Sequence, residues 1–313
     1  MWFSTTSTTR CLCSTGLSDG DLVATRVGAL AVGGDALQTS DDCVATHNHP
    51  TSCVFRRNRG RPLHTVGVTS NSPNRPEPPL YDHPYPSPEL AAAHRFVELD
   101  FDRLDAGEQR RRGEAFLELM QRRRSVRMFS DEPVAVELID LAIEAASTAP
   151  SGAHKQPWRF VAVRSADLKA RIREAAETEE RVNYLDNRMN DEWQEALAPL
   201  GTNWHKEFLE VAPWIVVLFE ERYELRPDGE RRKNYYVKES CGIAAGIFIT
   251  ALHTMGLATL THTPSPMAFL SKVLERPENE RPFVLFPVGY PLPGCRVPDL
   301  QRKPLDEVRV FVG

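Results

Sequence analysis

Seven prolines between Pro73 and Pro88 divide this chain. Proline lacks an amide proton and fixes φ, so such a run joins neither a helix interior nor a central strand. It reads as an extended linker. Upstream of it, hydrophobic residues are scattered without a period of 2 or 3.6, the pattern of a loop or disordered segment. Residues 1–85 are therefore expected to be largely disordered, with one folded domain over 86–313. The opening Met1–Leu17 lacks the charged and apolar regions of a secretory signal, and it is Ser/Thr-rich with one Arg and no acid. A soluble, cytoplasmic protein is expected, with organelle targeting by this segment as the alternative. No run of 18 apolar residues exists, so no membrane span is expected. The net charge of −5 argues against a general nucleic-acid binder.

Four of the six cysteines fall within the first 53 residues, which is no disulfide framework for a chain of 313 residues. Cys43, His47, His49 and Cys53 place four zinc-ligand types in eleven residues. Their spacing matches no usual finger, and chance is the reading adopted; no metal is expected.

After the prolines the pattern becomes periodic. Ser87-Pro88 is a helix-start signal, followed by apolar residues at Leu90, Ala93, Phe96 and Val97. Helices are expected at about Gly113–Arg123, Val134–Ser147, from Asp167 to about Tyr184 with Asp167 as cap, in pieces over Trp193–Leu209, at Tyr235–Met255 closed by Gly256, and at Met267–Glu275. Strands are expected at Trp158–Val163, Trp214–Phe219, Ala258–Thr263 and Pro282–Val288. Gly242 and Gly246, one turn apart, would admit close packing. Residues 291–313 read as an extended arm. Helices first, then strands interleaved with helices, give a mixed α/β arrangement. No G-x-G-x-x-G or P-loop pattern is present.

Four arginines lie within Arg122–Arg127. A guanidinium fork suits a bidentate oxyanion such as phosphate, and an equally ordinary reading is a solvated, basic helix end. The loop Ala149–Pro157 is rich in turn residues. Glu180 and Tyr184, at i and i+4, share a helix face within an acidic run whose bland reading is exposure.

Taken together, Arg123-Arg124-Ser125-Val126-Arg127, Thr148–His154, Pro157-Trp158, Asn183-Tyr184, Thr202-Asn203-Trp204, Pro287–Pro291 and Val297–Leu305 occur in one order that resembles the FMN-dependent nitroreductase superfamily and, within it, the iodotyrosine deiodinases. The resemblance runs from about Pro86 to the C-terminus. It implies an α+β fold: a nitroreductase-like mixed sheet flanked by helices, with the C-terminal arm exchanged in a homodimer. It implies FMN held at the phosphate and ribityl end by Arg123, Arg124, Ser125, Arg127 and Arg302. Pro150, Ser151 and Gly152 would reach the flavin from the other chain. Thr261, His262 and Thr263 would line the ring, with Thr263 donating near N5. His262 departs from the animal pattern of threonine there, either as a tolerated change or as a titrating imidazole near the flavin.

The resemblance further implies that Glu180 pairs with a substrate ammonium, Lys206 with its carboxylate, and that Tyr184 covers the ring. The Ala153 N–H would receive the phenolate oxygen. The implied reaction is reductive dehalogenation of halotyrosines, with electrons from NAD(P)H directly or through a flavin reductase. An extra residue near Gly201, relative to the family, is expected to change only a loop. The alternatives are a broad FMN nitroreductase or quinone reductase, and a non-catalytic amino-acid or flavin binder.

Overall fold

In a computed structural model of the chain, residues 85–185 and 188–313 are described. The expected disorder of the N-terminal segment up to residue 84, and the Cys43–Cys53 pattern, lie outside them. Two compact units divide between Val97 and Glu98. In the first, α1 (Pro88–Ala93) is capped by the Ser87 hydroxyl, which accepts from the Leu90 N–H at 3.3 Å. The Tyr85 and Phe96 rings meet edge to face at 5.7 Å. The division falls after this helix.

The second unit begins with α2 (Ala106–Arg122), which starts seven residues before the expected Gly113. The Asp105 carboxylate caps it by accepting from Gly107 N and Glu108 N at 2.9 and 3.0 Å. Its polar first turns carry no apolar period; Glu108 instead bonds Arg111 and Arg112 along the helix. Then follow α3 (Val136–Ser147), β1 (Trp158–Val163) and α4 (Ala166–Leu185). The cap of α4 is Ser165, whose hydroxyl accepts from Leu168 N, and Asp167 lies in the first turn. Next come α5 (Asp191–Leu197), a 3₁₀ turn ended by Gly201 at φ 60°, α6 (Phe208–Val211), β2 (Trp214–Glu221), and a hairpin of β3 (Tyr223–Leu225) and β4 (Arg231–Lys233). The remaining elements are α7 (Val237–Thr254), β5 (Ala258–Thr259), α8 (Ala268–Val273), β6 (Glu280–Gly289) and α9 (Leu305–Val308).

The main sheet runs β1-β2-β6-β5, and every pairing among these strands is antiparallel. Its parallel component is a single bridge, Ser125 to Thr259, outside the strands. β2 is buried along almost its whole length, which explains why Trp214–Phe219 reads as a continuous apolar run rather than an alternating one. One face, through Trp214, Val216, Leu218 and Phe286, packs on Ile139, Ala142, Phe248 and Leu252 of α3 and α7. The other, through Ile215, Val217, Phe219 and Leu285, packs on Ile172, Ala176, Leu209 and Leu270 of α4, α6 and α8. Among the described residues no helix is long and apolar enough to cross a membrane.

Gly242 and Gly246 face outward on α7, with no atom within 4 Å of where a Cβ would stand. Among the described residues no other element therefore uses the close approach they permit. Phe248, fully buried between the two neighbouring aromatic rings of Phe160 and Phe286, anchors the α7 side of the core. Phe248→Ala is expected to lower unfolding stability by about 3–5 kcal/mol through lost burial and the cavity left behind, measured by denaturant titration.

Candidate active site

The arginine segment is extended and held on both sides. Ser125 bridges Thr259, Val126 N donates to Thr259 O at 3.2 Å, and Ser130 N donates to Tyr290 O at 2.9 Å. Val126 and Phe129 turn into the core and fix the register. On the outer side the C-terminal arm supplies Arg302, which donates to Gln121 O at 3.2 Å and Arg123 O at 2.9 Å. Arg124 in turn donates to Pro298 O. Burial holds the Arg123 guanidinium below its usual pKa, and the charges of Arg302 and Arg124 add to this. Among the described residues no carboxylate pairs with Arg123, Arg124 or Arg302, while Arg122 pairs with Glu118 at 3.5 Å on the helix surface. Three mutually repelling cations, two of them (Arg124 and Arg302) held by backbone carbonyls, form a donor set for a polyanion. A cavity of about 340 Å³ opens beside them, lined by Arg123, Ser125, Thr259, Thr261 and the outward face of α7 at Gly246 and Thr250.

Arg127 also faces charged groups outside the arginine segment. Burial lowers its pKa while Tyr184 acts to raise it, and its charge in turn depresses Lys206 and His262. The charge of Arg127 thus acts on the α4 cluster described below.

In the loop after α3, Ala153, His154 and Gln156 adopt left-handed conformations at φ 51°, 53° and 48°. Such residues cost of order 1–3 kcal/mol each and persist where surroundings enforce them. Here Gln156 N donates to the Ser151 hydroxyl at 2.9 Å, and Gly152 forms a bridge with Tyr235. A Cβ on Gly152 would stand 2.7 Å from the Tyr235 carbonyl oxygen. The glycine is thus required by the chain's own backbone, a different reason from the ligand approach expected of it. Ser151 keeps its hydroxyl proton for donation, and among the described residues the Ala153 N–H has no partner. Pro150 is exposed. This loop sits against the start of α7 and the arginine cavity against its later turns, so at 1.5 Å per residue they lie about 15–20 Å apart along the helix.

Beyond β5, His262 exchanges both backbone hydrogen bonds with Leu285, at 2.8 and 3.0 Å. Side chains therefore alternate: Thr261 and Thr263 are exposed, and His262 is buried. His262 meets the Phe208 ring edge on at 5.4 Å, and its Nε2 is buried without a partner. Burial, with the charges of Lys206 and Arg127, pushes its pKa down to about 3. It lies on the opposite face from the two threonines and stays neutral at ordinary pH, unlike a titrating imidazole beside them.

Glu180 and Tyr184 stand one turn apart on α4, and Lys206 ends the turn that leads into α6. Exposure was the bland reading of this acidic run; instead Glu180 and Lys206 are 8% and 2% exposed. Their charged groups pair at 3.4 Å. The Lys206 ammonium also donates to Asn203 O and lies 5.6 Å from the centre of the Tyr184 ring. Burial lowers the Lys206 pKa, with Glu180 opposing, and burial raises that of the Tyr184 phenol, with Thr202 and Arg127 opposing. Gly201, in its left-handed conformation, ends the 3₁₀ turn before Thr202–Lys206. Asn183 ties the end of α4 to Ser265 O at 2.9 Å. Sequence reasoning missed Glu177, whose carboxylate accepts from Lys206 N at 2.8 Å, although it shares the face of Glu180 and Tyr184. Cys241 is no nucleophile: burial pushes its thiol up to about 12.

His262 has a consequence for acid stability. Its folded pKa of about 3 lies below the unfolded value of 6.5, so the unfolded chain takes up a proton first. Its contribution is unaffected above pH 6.5 and is lost progressively as pH falls toward 3. His262→Gln, neutral throughout, is expected to flatten the acid side of the stability–pH curve relative to the parent. Denaturation midpoints from pH 7 to 4 check this.

The nitroreductase family pattern matches residues 120–290. An iodotyrosine deiodinase of Haliscomenobacter hydrossis is 56% identical over 197 residues, covering 63% of this chain and 87% of that protein. One from Danio rerio is 47% identical over 204 residues, covering 64% and 68%. A solved structure of oxidized iodotyrosine deiodinase bound to FMN and 3-iodo-L-tyrosine superposes with a TM-score of 0.55 at 28% identity, covering 63% of this chain and all of that one. The antiparallel sheet between helical layers, the arginine segment on its edge and these likenesses agree: the chain belongs to the nitroreductase family, among the iodotyrosine deiodinases.

Proposed function

We propose that this protein is an FMN-dependent reductive dehalogenase of halotyrosines, mono- and diiodotyrosine first, working as a homodimer. The observation that carries the reading is the buried Glu180–Lys206 pair beside Tyr184. An α-amino acid brings one ammonium and one carboxylate, and this pair supplies one partner for each. Both groups are already out of water, so a zwitterion exchanges one ion pair for two without a new desolvation cost for the protein's charges. The two iodotyrosine deiodinases named above, and the FMN and 3-iodo-L-tyrosine of the solved neighbour, point the same way.

The donor set fits FMN. Arg123, Arg124 and Arg302 match a terminal phosphate of about two negative charges, with Ser125 beside them. Thr261 and Thr263 present hydroxyls on the open face, and Thr263 is assigned the hydrogen bond near the ring N5. Bound there, FMN supplies the two electrons that replace a carbon–halogen bond by a carbon–hydrogen bond. The net reaction is halotyrosine plus NAD(P)H giving tyrosine, NAD(P)⁺ and halide, with a separate flavin reductase as the possible carrier. The Ala153 N–H, lacking an internal partner, is the donor for the phenolate oxygen, where it stabilises charge as the bond breaks. Tyr184 closes over the ring and excludes water.

The loop carrying Pro150, Ser151, Gly152 and Ala153 reaches such a flavin only from a second chain, given its place at the other end of α7. A second copy also accounts for the exposed apolar residues. α2 buries none of its residues and exposes Phe116 and Leu117. α7 exposes Ile243 between its two outward glycines, and the arm ends in exposed Val310, Phe311 and Val312. The arm beyond Arg302 is the segment assigned to exchange between protomers.

The purified protein is expected to be yellow, to bleach under anaerobic dithionite and to be reoxidised by iodotyrosine. No reoxidation by iodo-, bromo- or chlorotyrosine would overturn the assignment, and much faster turnover of nitroaromatics would favour a broad nitroreductase. Glu180→Gln keeps the shape and removes the charge. It is expected to weaken halotyrosine binding by about 1.5–3 kcal/mol, roughly ten- to a hundred-fold, in a flavin-fluorescence titration.

A further inference from the structure

We infer that Glu177, held by Arg173, is a positioning residue that sets the Lys206 ammonium opposite Glu180 for a zwitterionic ligand; this rests on the substrate reading just given. Lys206 lies in the irregular segment between Gly201 and α6, where no regular element fixes its place. Its backbone is instead fastened to α4. Glu177 Oε1 accepts from Lys206 N at 2.8 Å, and the same oxygen accepts from Arg173 Nε at 2.9 Å. Arg173 reaches onward to Glu210 at 2.9 Å and Glu207 at 3.7 Å, on the far side of Lys206. On the near side the Arg181 guanidinium lies 4.9 Å from the centre of the Trp204 ring.

Glu177, Glu180 and Tyr184 fall at i, i+3 and i+7, one face of one helix. The carboxylate that grips the Lys206 backbone is thus one turn below the carboxylate that meets its side chain. That spacing sets the distance between the fixed anion and the fixed cation. Burial pushes the Glu177 carboxyl upward, but the Lys206 N–H and Arg173 outweigh it and hold it below the usual range, so it is ionised at working pH. His205 and Glu207 crowd the same spot, within 4.8 Å of Glu177, and the cation there is Arg173 itself. Glu177 bonds the Lys206 backbone and Arg173, so it acts on a ligand through Lys206.

The test compares two probes on the FMN-loaded protein by calorimetry: 3-iodotyrosine, and 2-iodophenol, which carries the same halophenol without ammonium or carboxylate. Glu177→Ala is expected to weaken iodotyrosine binding tenfold or more and leave iodophenol and FMN affinity unchanged. Glu177→Gln keeps an oxygen for the Lys206 N–H and is expected to recover at least half of that loss on a logarithmic scale. Arg173→Lys, whose compact ammonium lacks the planar fork that spans Glu177 and Glu210, is expected to give the same selective loss, and it serves should Glu177→Ala not fold. Unchanged iodotyrosine binding, or an equal loss for both probes, overturns the inference while leaving the substrate reading intact. A parent protein that binds iodotyrosine no better than iodophenol overturns the zwitterion reading, and this inference with it.

Discussion

The antiparallel pairing of β2 with β6 is the constraint on which everything else is hung. Both strands are buried on both faces, so helices must cover each side, and the sheet becomes the middle layer of three. Its far edge is short: β5 contributes only Ala258 and Thr259. That edge leaves hydrogen-bonding groups free, and the arginine segment takes them up at Thr259. The cation cluster is therefore a by-product of how the sheet ends. The residues that close the edge also present guanidinium groups outside it.

The charges at the site follow one physical rule, that ionised groups are buried only when held. Arg124 and Arg302 are held by backbone carbonyls, that of Arg123 among them, and the three arginines have no carboxylate among the described residues to neutralise them. Glu180 and Lys206 are held by each other, with hydroxyl and carbonyl support from the turn at Thr202–Asn203. One set is left ready for an anion and the other for a molecule carrying both signs. His262 sits behind the second set as a buried neutral ring, where a protonated one would face Lys206 and Arg127.

Much of the fold was legible in the sequence because its signals are local. The apolar runs at Trp214–Phe219 and Pro282–Val288, the stripe of α3, and Gly256 closing α7 are each read from neighbouring residues. The start of α2 and the β3–β4 hairpin were not, since both are written in charge. Asp228-Gly229 marks the turn of that hairpin, but Arg231, Arg232 and Lys233 show no apolar alternation to go with it. Glu177 was passed over for a similar reason. In sequence it is one acid in an acidic run, and only the folded chain brings the Lys206 N–H to it.

By itself the sequence determined most of the element order, the charged hairpin excepted, and the residue types that a phosphate and an amino acid require. Those follow from side-chain chemistry and from periods of 2 and 3.6, which need no partner in space. Tertiary structure alone decided how the residues group. It brought the charge of Arg127 to bear on the α4 cluster, turned His262 inward between two outward threonines, and set Gly152 against Tyr235. It also set the Pro150–Ala153 loop and the arginine cavity at different ends of α7. These are contacts between residues tens of positions apart. Their outcome depends on strand alternation and helix length acting together, which no local stretch encodes.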